Sequence, residues 1–399
     1  MSNAAAPTSS AREVLAVFLR LGLSSFGGPI AHLGYFQREF VERRRWLDGE
    51  HFAQVLALCQ FLPGPASSQL GFSIGLLRAG GWGGLAAFVG FTLPSALLMF
   101  AFALLSTRLS GAWGQAAIHG LKLVAVAVVA HGLLGMARRL TPDLPRLLLA
   151  ALAALLITIG SNAWMQLLVV ALGAVLGPWL CRTVMARPGD RLLLRHERRG
   201  GIALLAVFAL LLLLSLLPWS GAPAWTQLAA GFYRAGALVF GGGHVVLPLL
   251  KQTVVDPGWL DGNTFLAGYG AAQAVPGPMF SLAAFLGERI GIGHSGALGA
   301  TVCLLAIFLP GLLLVSAALP FWQALAARNG AARVLAGVNA AVVGLLAAAL
   351  YDPVWISAVH RPLDAVIALS AFALLAWARW PALAIVGWCV TASLLTVLL

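Results

Sequence analysis

Long apolar runs, separated by short polar loops, limit most strongly how this chain can fold. Examples extend over residues 147–160, 163–181 and 202–217. A membrane-spanning helix needs about 20 mostly apolar residues to cross roughly 30 Å of hydrocarbon. The runs lack the period-two alternation typical of membrane β-strands. The sequence therefore predicts an all-α polytopic membrane protein.

The composition excludes several other classes of protein. Hydrophobic residues make up 60% of the 399 residues, and charged residues only 10%, against roughly 25% in a soluble domain. A cytosolic enzyme, a secreted disulfide scaffold and a disordered chain are thereby excluded. The four cysteines are isolated, and no P-loop, HExxH or GxSxG motif occurs. We therefore expect no enzyme, no cofactor and no metal site.

The formal net charge of +12 is best explained by basic cytoplasmic loops. Nucleic-acid binding is a poor explanation, because the basic residues are scattered over short loops. The N-terminal residues 1–12 lack the features of a signal peptide. The N-terminus and loop 182–200 are therefore predicted to be cytoplasmic. That loop carries Arg182, Arg187, Arg191, Arg195, Arg198 and Arg199 against Asp190 and Glu197.

An internal repeat organises most of the chain. Phe26-Gly27-Gly28 recurs as Phe240-Gly241-Gly242, 214 positions later. Pro63-Gly64-Pro65 recurs as Pro276-Gly277-Pro278, 213 positions later. Turn residues that keep one order and nearly one spacing indicate a duplication rather than chance apolar similarity.

The repeats divide the chain into a tail (1–12), a first repeat (13–139), connecting segments (140–224), a second repeat (225–352) and terminal segments (353–399). Three connecting crossings would invert the second repeat if each repeat crosses an even number of times. The loop charges agree, because loop 37–51 holds four arginines whereas its counterpart 251–263 holds one lysine. Inverted repeats are a common plan for secondary transporters, with the substrate site near the midplane.

Glycine and proline interrupt two apolar segments in each repeat. Segments 14–36 and 52–76 are broken at the motifs above, and so are their counterparts 229–250 and 265–287. Proline removes a backbone donor and glycine permits unusual backbone angles, so each break ends one half-helix and begins another. The sequence leaves open whether these segments cross or re-enter. Because half-helix N-termini attract anions, the paired breaks predict an anion site.

Residues at and beside the breaks form the candidate substrate-binding set. Arg20 and Arg234 lie at equivalent places in apolar stretches, where a guanidinium is costly. Each could pair with an oxyanion or extend to the membrane interface. Lys122 is a further candidate cation. The full set is Arg20, Phe26, Gly27, Gly28, Gln60, Pro63, Gly64, Pro65, Ser67, Ser68, Arg234, Phe240, Gly241, Gly242, His244, Gln273, Pro276, Gly277, Pro278 and Ser281.

Both halves resemble the chromate ion transporter family. The resemblance is carried by FLRLGLSSFGGPIAHLG and FLPGPASSQL in the first half, and by FYRAGALVFGGGHVVLPLL and AVPGPMFS in the second. It covers about residues 18–137 and 230–350 and corresponds to the long-chain form with two fused domains. Gly243-His244 replace Pro29-Ile30 in the second half, so the two sites need not be equivalent.

The resemblance implies a bacterial inner-membrane transporter that exports chromate and confers chromate resistance. It also implies that sulfate, an isosteric dianion, competes. Membrane potential, proton coupling or both could drive export. The residues alone reach only an anion transporter, and two alternatives stay open: an uptake transporter for sulfate or another oxyanion, and a non-transporting structural subunit. The expected partners are chromate and the bilayer, with no nucleic acid; a homodimer is left open.

Overall fold

The computed structural model describes residues 10–26, 28–108, 111–160, 163–185, 198–217, 219, 221–240, 245–291, 295–322 and 328–398. These residues form an all-α protein, as the sequence predicts. The helices are α1 (Ala11–Ser24), α2 (Gly28–Gln37), α3 (Gly49–Phe61), α4 (Ala66–Ser106), α5 (Ala112–Leu140), α6 (Leu144–Ile159), α7 (Ala163–Leu180), α8 (Arg198–Leu216), α9 (Ala224–Ala237), α10 (Val246–Leu250), α11 (Gly262–Ala274), α12 (Leu282–Ile290), α13 (Gly296–Ala318), α14 (Asn329–Ala349), α15 (Pro362–Ala376) and α16 (Ala382–Leu395).

Helix ends fall where the sequence places the breaks. Helix α1 ends at Ser24, and α3 ends at Phe61, one residue short of the first Pro-Gly-Pro. Helix α11 ends at Ala274, one residue short of the second. Asp48 and Asp261 cap the N-termini of α3 and α11 by accepting backbone N–H bonds at 2.8 and 2.9 Å. The predicted interruptions are confirmed, because proline and glycine stop the helical hydrogen-bond ladder there.

The first broken segment folds back on itself. The Arg44 guanidinium, beyond α2, lies 3.3 Å from the Glu13 carboxylate at the start of α1. The Phe18 ring stacks on the Phe40 ring with centroids 5.0 Å apart. Segment 11–44 therefore begins and ends at the same end of the molecule.

The helix after each Pro-Gly-Pro belongs to a tight helical hairpin. Helix α4 bends sharply at Ala79 and Gly80, where the backbone is not helical, and this bend brings Gly75 against Gly83. In the second repeat, α12 and α13 form the same hairpin, with Gly287 against Gly299. Two helices can approach this closely only because no Cβ atoms stand between them.

The two repeats are interlaced. Helix α5 of the first repeat packs on α11 of the second and on the C-terminal helices α15 and α16, whereas α14 of the second repeat packs on the connecting helices α6 and α7. Gly120 of α5 lies against Val390 and Cys389, and Gly337 of α14 lies against Gly173. The repeats therefore share one interior, in which α5 and α14 also touch each other.

Several helices have the length and apolarity to cross a bilayer. They are Ala66–Ser106, Ala112–Leu140, Arg199–Leu216, Gly296–Phe321 and Asn329–Ala358. Large apolar side chains such as Trp82, Leu213 and Leu155 are exposed on the surface, where lipid would cover them. The chain is a multi-pass membrane protein.

Candidate functional site

The broken segments of the two repeats meet in one junction. The Gly64 N–H in the first Pro-Gly-Pro donates to the Val239 carbonyl at 2.7 Å. The Gly277 N–H in the second donates to the Ser25 carbonyl at 2.9 Å. Val239 and Ser25 are equivalent residues, one before each Phe-Gly-Gly motif. Each Pro-Gly-Pro therefore binds the residue just before the Phe-Gly-Gly motif of the other repeat, as expected of repeats related by a two-fold axis.

The central residue of each Pro-Gly-Pro motif has a backbone conformation that favours glycine. Gly64 has φ +122° and Gly277 has φ +99°, in the region that L-residues with a side chain rarely adopt. A Cβ at Gly64 would lie 3.0 Å from the Gly311 Cα, and one at Gly277 would lie 3.1 Å from the Phe91 carbonyl oxygen. The motif therefore serves close backbone approach as well as chain reversal.

A buried histidine links α2 to the first-repeat side of the junction. His32 is fully buried, and its Nε2 lies 3.2 Å from the Ser25 carbonyl oxygen. A carbonyl can only accept, so Nε2 carries the proton, and Nδ1 faces the Ser67 hydroxyl at 3.4 Å. The ring also makes an edge contact with Phe91, with centroids 5.2 Å apart. His32 thus ties together α1, α2 and both arms of α4.

Gln69 forms hydrogen bonds on the same side of the junction. Its Nε2 donates to the carbonyls of Pro63 at 2.9 Å and Gly311 at 3.0 Å. Two carbonyl acceptors fix the orientation of the amide, so the Oε1 points away from them. Gly311 lies on α13, so this side chain binds the second repeat to the first Pro-Gly-Pro.

Several buried oxygens beside the junction have no hydrogen-bond partner among the residues that the structure describes. They are Ser25 Oγ, Ser68 Oγ, Gln69 Oε1 and Thr92 Oγ1. Each parent side chain is at most 3% exposed. A buried polar group without a partner typically costs about 1–3 kcal/mol. Such groups are uncommon in native proteins and point to a role beyond packing.

The structure brings together the predicted residues of the Pro-Gly-Pro motifs and those next to them. Pro63, Gly64 and Pro65 meet the second repeat, and Ser67 and Ser68 follow in the first turn of α4. Pro276, Gly277, Pro278 and Ser281 are buried opposite them, and Phe26 and Phe240 are half-buried at the ends of the preceding segments. Gly28 begins α2 with φ +75°. Gly27, Gly241, Gly242 and His244 lie outside the described residues.

Other predicted residues point elsewhere. Arg20 and Gln60 are exposed. Arg234 is half-buried and donates to the Ser215 carbonyl of α8 at 3.4 Å. Gln273 donates to the Met279 sulfur of its own repeat at 3.0 Å. Lys122 is buried, and its Nζ donates to the Asn263 side chain at 2.8 Å. None of these contacts tests whether Arg20, Arg234 or Lys122 binds an anion, so that role stays a prediction.

Sequence reasoning missed Ser25, His32, Gln69 and Thr92. A signal existed for His32, an ionisable residue just after a break in an otherwise apolar stretch. Ser25 and Gln69 adjoin the two motifs. Thr92 had no signal, because it lies within a smooth apolar helix and only the bend of α4 returns it to the junction.

Comparisons with known proteins agree with this architecture. The family described as "Chromate transporter" matches residues 12–178 and 226–394, with α8 between the two matches. The "Chromate transport protein" of Cupriavidus metallidurans is 28% identical over 372 residues, 93% of this chain and 89% of its own length. That of Pseudomonas aeruginosa is 27% identical over 388 residues, 93% of this chain and 88% of its own.

A third relative is the "Probable chromate transport protein" of Synechococcus elongatus. It is 29% identical over 349 residues, 86% of this chain and 84% of its own length. No solved structure matches the chain. Because the family matches account for most of the sequence, in two regions that each contain one set of broken helices, this chain belongs to the chromate transporter family.

Proposed function

We propose that this chain is a secondary transporter that exports chromate across the bacterial inner membrane and so confers chromate resistance. The observation that carries the proposal is the junction in which each Pro-Gly-Pro binds the residue just before the Phe-Gly-Gly motif of the other repeat. Irregular backbone within a membrane is tolerated where it is buried in protein or lines a route for substrate. The relatives named for chromate transport favour chromate as the ion.

The start of α4 suits an anion. The helix begins at Ala66, directly after Pro-Gly-Pro, and no side chain caps it at Pro65. The N–H groups of a first helical turn lack partners within the helix, and the helix dipole is positive there. The hydroxyls of Ser67 and Ser68 lie in the same turn and add donors for an oxyanion.

Export of a dianion is favourable on electrostatic grounds. Moving one charge through the membrane potential is worth about 2.3 kcal/mol per 100 mV. A dianion that leaves a negative interior gains roughly twice that. Membrane potential can therefore drive export, alone or together with proton coupling.

We propose a cytoplasmic N-terminus and a cytoplasmic loop 182–200. The contact between Arg44 and Glu13 supports this orientation, because it holds the arginines after α2 beside the N-terminal end of α1. Re-entry of segment 11–44 would then place this basic loop in the cytoplasm, as the positive-inside rule favours. Arg20, which is exposed on α1, would lie within this re-entrant segment.

Labelled chromate uptake into everted inner-membrane vesicles tests the proposal. We expect protein-dependent uptake that an inside-positive potential increases and that excess sulfate inhibits. Gly64→Ala and Gly277→Ala should abolish uptake, because both need positive φ and close contact. Gly34→Ala is the matched control, since a Cβ there meets nothing within 4 Å. Folded protein without uptake above empty vesicles would refute chromate export and favour sulfate uptake or a structural role.

A further inference from the structure

Among the described residues, the polar side chains around the junction belong mostly to the first repeat. Their equivalents in the second repeat are apolar; they lie 214 positions later beside the glycine breaks, 213 later around the Pro-Gly-Pro motifs, and 216 later in the helix where Pro94 matches Pro310. Ser25, His32, Ser67, Gln69 and Thr92 correspond to Val239, Val246, Phe280, Leu282 and Phe308. Ser68 alone keeps its identity, as Ser281. The backbone junction is therefore symmetric, whereas the side chains around it are not.

We propose that a single tetrahedral oxyanion is bound by the first repeat alone, through the hydroxyls of Ser25, Ser67, Ser68 and Thr92, with His32 as a positioning residue. We call these five residues the hydroxyl cluster. This inference rests on the proposed transport function and assigns its ligand site to one repeat.

Contacts between described residues connect the cluster through the junction, and Ser68 adjoins Ser67 in the chain. His32 reaches the Ser25 carbonyl and the Ser67 hydroxyl. The Ser25 carbonyl accepts from Gly277, where an added Cβ would lie against the Ser95 hydroxyl and the Phe91 carbonyl. Ser95 in turn donates to the Thr92 carbonyl at 2.9 Å. This chain of contacts joins α1, α2 and both arms of α4 in a closed ring.

The second repeat indicates which positions are neighbours. Phe280 and Phe308, the equivalents of Ser67 and Thr92, pack with ring centroids 5.6 Å apart. Phe308 also packs edge-on against Phe88, at 5.2 Å. In the second repeat, aromatic rings therefore occupy the positions equivalent to Ser67 and Thr92. An oxyanion would be desolvated there without compensating donors.

The unpartnered hydroxyls are suited to an anion. A hydroxyl can rotate to donate, and Ser25, Ser68 and Thr92 bond to no described residue through their side chains. Hydrogen bonds to a charged group are stronger than neutral ones. The cations considered for the site bond elsewhere, since Arg234 reaches Ser215 and Lys122 reaches Asn263. Neutral donors and the N-terminus of α4 are therefore the groups that the described part of the junction offers to an anion.

Binding measurements on the purified full-length chain in detergent test this assignment. The probes are labelled chromate and labelled sulfate, in equilibrium dialysis and in thermal unfolding, since a ligand of the folded state raises the unfolding midpoint. Thr92→Val and Ser68→Ala should each weaken binding of both ions about tenfold or more. Thr92→Val should keep or raise the unfolding midpoint without ligand, because it removes a buried unpartnered hydroxyl at nearly constant shape.

Matched controls remove hydroxyls that already have helical partners. Ser73 and Thr253 are buried and donate to the Gln69 and Leu249 carbonyls at 2.7 and 2.8 Å. Ser73→Ala and Thr253→Val should bind both ions like the unsubstituted chain. His32→Gln should weaken binding less than Thr92→Val if the ring positions Ser67 without touching the anion.

The outcomes separate the inference from the function on which it rests. If the unsubstituted chain binds and transports but Thr92→Val and Ser68→Ala bind equally well, the hydroxyl cluster is refuted and transport stands. If Ser281→Ala weakens binding as much as Ser68→Ala, the two repeats share the anion and the one-repeat assignment is wrong. If the unsubstituted chain neither binds nor transports these ions, both proposals fail.

Discussion

Helices α3 and α11 are equivalent in sequence but differ in burial. In α11, all residues from Phe265 to Gln273 are buried, with Gly270 against the Leu121 backbone of α5. In α3, the equivalent face carries Glu50, Ala53, Ala57 and Gln60, all exposed. Helix α3 packs mainly on α4 and the edge of α13. Similar sequences therefore reach different environments because the helices available to cover them differ.

The same contrast appears in the hydrophobic cores. The second broken pair shares one core with α5, α14 and the C-terminal helices. The first pair has a separate aromatic core that includes Phe18, Phe36, Phe40 and Trp46. The broken helices of the repeat that carries the hydroxyl cluster therefore pack less against the shared interior than their equivalents do. Weakly coupled elements are those that proteins use for movement.

The largest expected effect comes from the glycine that allows α11 to pack. Gly270→Ala should destabilise the fold by about 3 kcal/mol or more, because its Cβ would overlap the Leu121 backbone, which cannot move aside as a flexible side chain can. The equivalent residue in α3 is Ala57, which is exposed, so Ala57→Leu should change stability by less than about 0.5 kcal/mol. Thermal unfolding of both variants in detergent measures the difference. Equal destabilisation would mean that α3 is covered as fully as α11.

The next effect concerns equivalent residues of α5 and α14. Lys122→Met should destabilise the fold by roughly 1.5–3 kcal/mol, because it removes the hydrogen bond to Asn263 from a charged donor. Its counterpart Asn339 is buried, and its Oδ1 has no partner among the described residues. Asn339→Leu should therefore be neutral or slightly stabilising. Chemical unfolding of the two variants tests this, and a larger loss for Asn339→Leu would contradict it.

The smallest effect is expected where the repeats agree, at the caps of α3 and α11. Asp48→Ala and Asp261→Ala should each cost about 1 kcal/mol. The backbone N–H of His51 lowers the pKa of Asp48. Burial tends to raise the pKa of Asp261, but hydrogen bonds from Thr264 outweigh it, so the net shift is also downward.

A lowered pKa in the folded state gives a stabilisation that is present near pH 7 and is lost as the carboxylates protonate, below about pH 4. The unfolding midpoint, followed from pH 7 to pH 3, measures it. Asp48→Asn is the control, because asparagine also caps a helix but does not titrate in this range. An unchanged acid dependence in Asp48→Asn would show that this cap does not contribute.

Much of the fold follows from local sequence. Pro-Gly-Pro and the glycine motifs predict helix breaks because they act on the backbone of their own residues. The aligned motifs predict the duplication. The candidate site is predicted only in part, because Thr92 reaches the junction through a bend at Ala79 and Gly80, and Arg20 and Gln60 turn outward.

The sequence by itself determined a helical membrane protein with two homologous sets of broken helices. Apolar run length and backbone chemistry suffice for that. The tertiary structure decided that each Pro-Gly-Pro hydrogen-bonds to the other repeat, that α5 packs on α11 and on α14, and that the bend of α4 returns Thr92 to the junction. These features depend on contacts between residues far apart in the chain, and periodicity within a segment carries no record of such contacts.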